Sequence, residues 1–145
     1  MLVRLIMPLE VRPQRTRGNP KLCLADHSIR TSWLPELIPL HPNVLAASPE
    51  LAIMAGHMAE SALGSTALAI PRLDVAYQTE QDHNQEADIV LNVGDHHIPV
   101  EVKYQRRIDQ FRDTLGVRSF IERTANREPF GLLIIPADTP PMDDL

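Results

Sequence analysis

Gly94-Asp95 separates two strand-like runs, Ala87 to Val93 and His97 to Tyr104, and no other feature restricts the fold of this chain as tightly. A glycine at the first position of a two-residue loop suits a type II′ turn, which fixes the register of the strands it joins. In that register Ile89, Leu91 and Val93 share a face with His96, Ile98, Val100 and Val102. So apolar a surface must pack against a core. On the opposite face Asp88 falls across from Glu101, with side chains about 5 Å apart, and Lys103 falls across from Glu86. Facing carboxylates repel, so the sheet needs a cation or a shared proton to offset them.

Size and composition set the frame around this hairpin. With 145 residues, 43% hydrophobic and 23% charged, the chain suits one compact soluble domain, and a two-domain enzyme is excluded. Cys23 is the single cysteine, which rules out an internal disulfide and fits a reducing compartment. The opening apolar residues Leu2, Val3, Leu5 and Ile6 are interrupted by Arg4 and Pro8, and no apolar run approaches membrane-spanning length. A cytoplasmic protein without membrane contact is expected. The net charge of −5 speaks against indiscriminate nucleic-acid binding. Basic groups are nevertheless clustered: residues 1–21 carry five against one acid, and residues 103–127 carry seven against three. A local phosphate-binding face therefore stays open beside the simpler reading of a solvated basic helix face.

Residues 1–19 form a poorly patterned basic segment with little core-forming character. Lys21 to Ala25 reads as a short strand and Asp26 to Trp33 as a short helix capped by Asp26. Pro35, Pro39, Pro42 and Pro49 keep the stretch from Trp33 to Glu50 out of regular structure. Ser48-Pro49-Glu50 is a helix start, and Leu51, Met54, Ala55, Met58, Ala62 and Leu63 continue it as an apolar stripe to about Leu68, with Glu60 on its flank. Three strands follow, Leu73 to Thr79 and the two arms of the hairpin. Ile108 to about Thr124 reads as an amphipathic helix, Phe130 to Ile135 as a buried strand, and 137–145 as an acidic tail. The order is helix, three strands, helix, strand, in a single α/β domain spanning 20–136.

Asp88, Glu101 and Lys103 are the candidate site. Hard oxygen ligands suit Mg²⁺ or Mn²⁺, which use one or two carboxylates together with carbonyl, water and phosphate oxygens. Lys103, two residues beyond Glu101, lies on the same face, where its ammonium can position a water or steady charge on a phosphate. Glu60 completes the set if its helix packs across the strands. The metal-free alternative is a structural ion-pair cluster in which Lys103 neutralises both acids. His57 and Glu60 have an i, i+3 spacing that is more often incidental than metal-binding. His96 and His97 lie on opposite faces and read as surface residues, Cys23 as a buried small hydrophobe, and Trp33, Met54 and Met58 as packing. Pro99 requires a widely spaced strand pair or a bulge, because it has no donor.

Glu60, then Asp88, then Glu101-Val102-Lys103 resembles the signature of the PD-(D/E)xK nuclease superfamily. More narrowly, Pro20-Lys21-Leu22-Cys23-Leu24-Ala25-Asp26, Gly56-His57-Met58-Ala59-Glu60, Glu86-Ala87-Asp88-Ile89-Val90-Leu91 and Ile98-Pro99-Val100-Glu101-Val102-Lys103-Tyr104 resemble a nuclease-like domain of unknown function at the C-terminus of prokaryotic AAA-type ATPases. The likeness spans roughly 20–136. It implies a restriction-endonuclease-like core, a central mixed sheet flanked by helices. It also implies Mg²⁺- or Mn²⁺-dependent hydrolysis of DNA phosphodiester bonds, with Asp88, Glu101 and the Val102 carbonyl as metal ligands, Glu60 as a further acid and Lys103 helping to activate water. No G-x-x-x-x-G-K-[ST] stretch occurs, so nucleotide hydrolysis by this chain is not expected. Gln78, Glu80, Gln81 and Asp82 stand where the resemblance calls for aromatic and arginine residues, which weakens the DNA site. The competing expectation is a non-catalytic DNA-binding or protein-docking module, or a detached C-terminal part of an AAA-type ATPase that works with a partner.

Overall fold

In the computed structural model of the chain, residues 3–8, 19–26, 28–33, 44, 48–78, 87–105, 107–122, 129–137 and 139 are described. They form an α/β fold around a six-stranded mixed sheet. The strands are β1 (Val3–Pro8), β2 (Lys21–Leu24), β3 (Asp74–Tyr77), β4 (Ile89–Val93), β5 (His96–Val102) and β6 (Leu132–Ile134). The helices are α1 (Ser28–Trp33), α2 (Pro49–Ala67) and α3 (Leu115–Ile121). The sheet order is β2-β1-β3-β4-β5-β6. β1 runs parallel to β3 and β5 parallel to β6, while the other neighbours are antiparallel. From α2 onward the order is helix, three strands, helix, strand, as the sequence suggested.

β4 and β5 pair in the expected register, Ile89 with Val100, Leu91 with Ile98 and Val93 with His96. Gly94 takes a φ of 63°, and Arg72 is the only non-glycine with positive φ among the described residues, so the turn has the one left-handed residue that type II′ needs. Because Val93 and His96 close a two-residue turn, hydrogen-bonded pairs fall at every second step and Pro99 meets Val90 in a non-bonded one. Its missing N–H therefore costs the β4–β5 ladder nothing.

The N-terminal segment departs from expectation. Residues 1–19 show little core-forming pattern in sequence, yet β1 lies inside the sheet between β2 and β3 and delivers Ile6 to the core at 1% exposure. Its neighbours Leu5 and Met7 are apolar too but exposed, so the sequence shows no alternation even though the strand has two distinct faces. The domain thus includes residues ahead of 20.

α2 packs across β2 and also touches β5; α3 packs against β5. Ile6, Cys23, Ala67, Val75, Tyr77, Ile89 and Val100 form the main core, with Leu63, Leu68, Leu73 and Leu91 against it. Ala87, Val90 and Phe120 form a second cluster. Both sheet faces are therefore partly apolar. The helix expected from Ile108 begins only at Leu115. Before it, Asp109 Oδ1 accepts the N–H groups of Phe111 and Arg112 at 3.0 and 2.9 Å in the manner of an N-cap, and the Asp113 N–H reaches the Asp109 carbonyl at 2.8 Å, so a capped turn precedes the helix.

Gly64 marks the closest approach of α2 to the sheet. A Cβ there would lie 2.7 Å from Ile6 Cδ1 and 2.8 Å from Cys23 Sγ. Gly64→Ala is expected to destabilise by about 1.5 kcal/mol, since overpacking outweighs the gain in helix propensity. The urea midpoint of the variant checks this, and an unchanged or raised midpoint contradicts it.

Candidate active site

The open end of the β4–β5 hairpin gathers the acids. The ladder between the two strands stops at Ile89–Val100, and Asp88 occupies a bend just before it. Ala87 clusters with Val90 and Phe120 instead of with Ile89, so the two-residue alternation is broken at this bend. Asp88 consequently does not continue the ladder opposite Glu101, as a regular strand would require. Its carboxylate hooks onto β5 instead, with Oδ2 accepting the Val102 N–H at 2.9 Å. A side chain thereby takes the donor that the next ladder step would have given to backbone.

Glu101 is buried at 6% exposure. Its Oε1 lies 2.7 Å from Lys103 Nζ, while its Oε2 is buried with no hydrogen-bond partner. Burial, reinforced by the Asp88 charge, pushes the Glu101 carboxyl up to about 7 against the pull of Lys103. Asp88 is also raised, first by burial and then by the charge of Glu60, against the opposing Val102 hydrogen bond. Burial alone would lower Lys103, but the hydrogen bond and charge of Glu101, with the charges of Asp88 and Asp113, outweigh it and hold the ammonium protonated. The three groups predicted from sequence are therefore electrostatically coupled.

Glu60 arrives from α2 and is held by a lysine the sequence reasoning left out of the site. Lys21 Nζ lies 2.6 Å from Glu60 Oε1 and donates to the Asp88 carbonyl at 3.2 Å. It also sits 5.1 Å from the centre of the Tyr77 ring. In sequence it belongs to the Pro20 to Asp26 stretch, where its i, i+2 relation to Cys23 puts both side chains on one face of β2. His57 Nδ1 stands 4.0 Å from Glu60 Oε2, but its side chain is 74% exposed. A cleft of about 440 Å³ opens between β2 and α2, lined by Lys21, His57, Glu60, Ser61 and Asp88 over an apolar floor.

Does this donor set fit Mg²⁺ or Mn²⁺? The partnerless buried oxygen of Glu101, whose carboxyl is coupled to the Asp88 charge, is a hard donor of the kind such an ion takes. Among the described residues no three His, Cys, Asp or Glu side chains come together as a metal-holding group. Glu60 is thus a neighbouring charge engaged by Lys21, and a divalent ion would rest on two carboxylates plus backbone and water oxygens. Glu86, expected opposite Lys103, and the acidic stretch 80–82 lie outside the described residues. Among the described residues no helix is long and apolar enough to cross a membrane. No protein-family model matches this sequence, and no curated protein and no solved structure matches it.

Proposed function

We propose that this chain is a divalent-metal-dependent nuclease-like domain that hydrolyses DNA phosphodiester bonds, built on a restriction-endonuclease-like core. The reading rests on one observation, the buried and partnerless Oε2 of Glu101, whose other oxygen meets Lys103 and whose charge is coupled to that of Asp88. The order α2-β3-β4-β5-α3-β6 supports it. Asp88, Glu101 and the Val102 carbonyl would hold Mg²⁺ or Mn²⁺, and Glu60 would add negative charge nearby. A divalent ion held there supplies Lewis acidity toward a phosphoryl oxygen and favours hydroxide over water. Lys103 contributes a fixed ammonium beside the acids, able to orient a water and to offset charge developing on phosphate. The Asp88 carboxylate is pre-positioned by Val102, so little reorganisation accompanies metal entry.

A second reading, a non-catalytic DNA-binding or protein-docking module, is favoured by the closed Lys103–Glu101 pair. One experiment separates the two. The purified chain is incubated with linear, nicked and branched DNA in Mn²⁺ beside Asp88→Ala, and Mn²⁺ binding is titrated by calorimetry beside Glu101→Gln. The nuclease reading expects cleavage reduced at least about a hundredfold by Asp88→Ala and Mn²⁺ binding lost in Glu101→Gln. Equal cleavage in both chains, or heat of binding unchanged by Glu101→Gln, refutes it.

A further inference from the structure

We propose that Lys21 is a positioning residue of this site, a strut from β2 that holds the backbone at Asp88 so that the Asp88 carboxylate stays on the Val102 amide. The inference rests on the metal-site reading above for its functional meaning, and on the metal-free geometry for its own support. Asp88 lies outside the β4–β5 ladder, so that ladder does not fix its backbone. The Lys21 ammonium reaches that backbone, meeting the Asp88 carbonyl at 3.2 Å. The same ammonium is neutralised at 2.6 Å by Glu60, which ties the bend to α2 as well.

The base of the strut is rigid. Lys21 is paired with Ile6 across β1–β2, and Cys23, two residues on, is buried in the main core. Leu24 N–H donates to Ser61 Oγ of α2 at 3.0 Å, and the Tyr77 hydroxyl donates to the Asn19 carbonyl just ahead of the strand. A lysine anchored this way delivers its charge to a defined point, at less entropic cost than a free surface lysine. The strand pair β1–β2, outside the helix, three strands, helix, strand order, thereby becomes part of the site.

Charge and position predict opposite signs for the same substitution. If Lys21 acted only through its charge, removing a cation near a dication site would tighten Mn²⁺ binding. If it positions Asp88, removal loosens one of two carboxylate ligands and weakens binding, as loss of outer supports around metal ligands generally does. Lys21→Met is expected to weaken Mn²⁺ binding by about tenfold in calorimetric titration, and Lys21→Arg to recover part of the loss. In the metal-free chain, hydrogen exchange of the Val102 amide in Lys21→Met is expected to rise about tenfold relative to Leu91, a mid-hairpin reference insensitive to the bend. Both variants are compared at conditions where their urea curves show the folded state. A Mn²⁺ affinity that is unchanged or tighter in Lys21→Met overturns the proposal, and so does an unchanged Val102 amide. If the wild-type chain itself binds no Mn²⁺, the metal reading has failed, and the amide measurement alone decides whether Lys21 positions Asp88.

Discussion

Raising the pH from about 5 to about 8 is expected to cost the metal-free chain roughly 2 to 3 kcal/mol of folding stability through Glu101 alone. Its folded pKa of about 7 stands above the ordinary glutamate value of 4.5. Between those values the native state holds a proton that the unfolded chain has released, so stability falls as pH rises through the window. Asp88, raised in the same direction, adds to the fall. Lys103 stays charged on both sides of the window, and its stabilising contribution is lost only in strong alkali. Glu101→Gln removes the titrating group and keeps the shape. Urea midpoints of wild type and variant across this range isolate Glu101, because it is the one group that differs between the two chains. The variant is expected to be the more stable at pH 8, and a difference curve that is flat with pH contradicts the assignment. Added Mn²⁺ is expected to restore the wild-type midpoint at pH 8 and to do little at pH 5, where the proton already neutralises the carboxylate.

Gly131→Ala is expected to cost about 3 kcal/mol, the upper end for overpacking. A Cβ at this position would collide with Val117 Cγ1 of α3 and come within 2.9 Å of the Pro99 carbonyl oxygen. The first obstacle is a methyl that can move, while the second is backbone of β5 and cannot yield without bending the strand. Gly131 sits immediately before β6, whose Ile134 carbonyl accepts the Lys103 N–H at 2.9 Å. Strain introduced at one end of this parallel pair is thus passed toward Glu101 and Lys103. Adding Val117→Ala is expected to recover only part of the loss. Full recovery would mean that the β5 backbone is not the rigid partner, and no loss in the single variant would mean that α3 does not pack this closely.

The hairpin was legible because its information is local: Gly94 supplies the one positive φ, and the turn length then dictates every pair up to Ile89 and Val100. α2 was legible for the same reason, with Pro49 and Glu50 at its start and apolar residues recurring along it. Glu101 and Lys103 followed from the register and meet as expected. Asp88 sits off the ladder that the register alone suggests, since its bend depends on Val102 and Lys21, partners that no nearby sequence announces. β1 was missed because Leu5 and Met7 are as apolar as Ile6 while only Ile6 is buried, and because Arg4 looks like an interruption. In the fold Arg4 Nη1 instead donates to the Ser65 carbonyl of α2 at 2.5 Å.

With β1 interior, trimming the opening eight residues would not shorten a tail; it would take out a middle rung. β3 would be left with a raw edge, and β2 would have no strand to lean on. Lys21 would then lose its footing, although every acid of the hairpin would still be present in the chain. The rungs β3, β4 and β5 follow one another along the chain, whereas β1 has to be threaded beside β3 from more than sixty positions away in sequence. Assembly of the acids therefore has two tempos, a quick one for the hairpin and a slower one for the strut that steadies it.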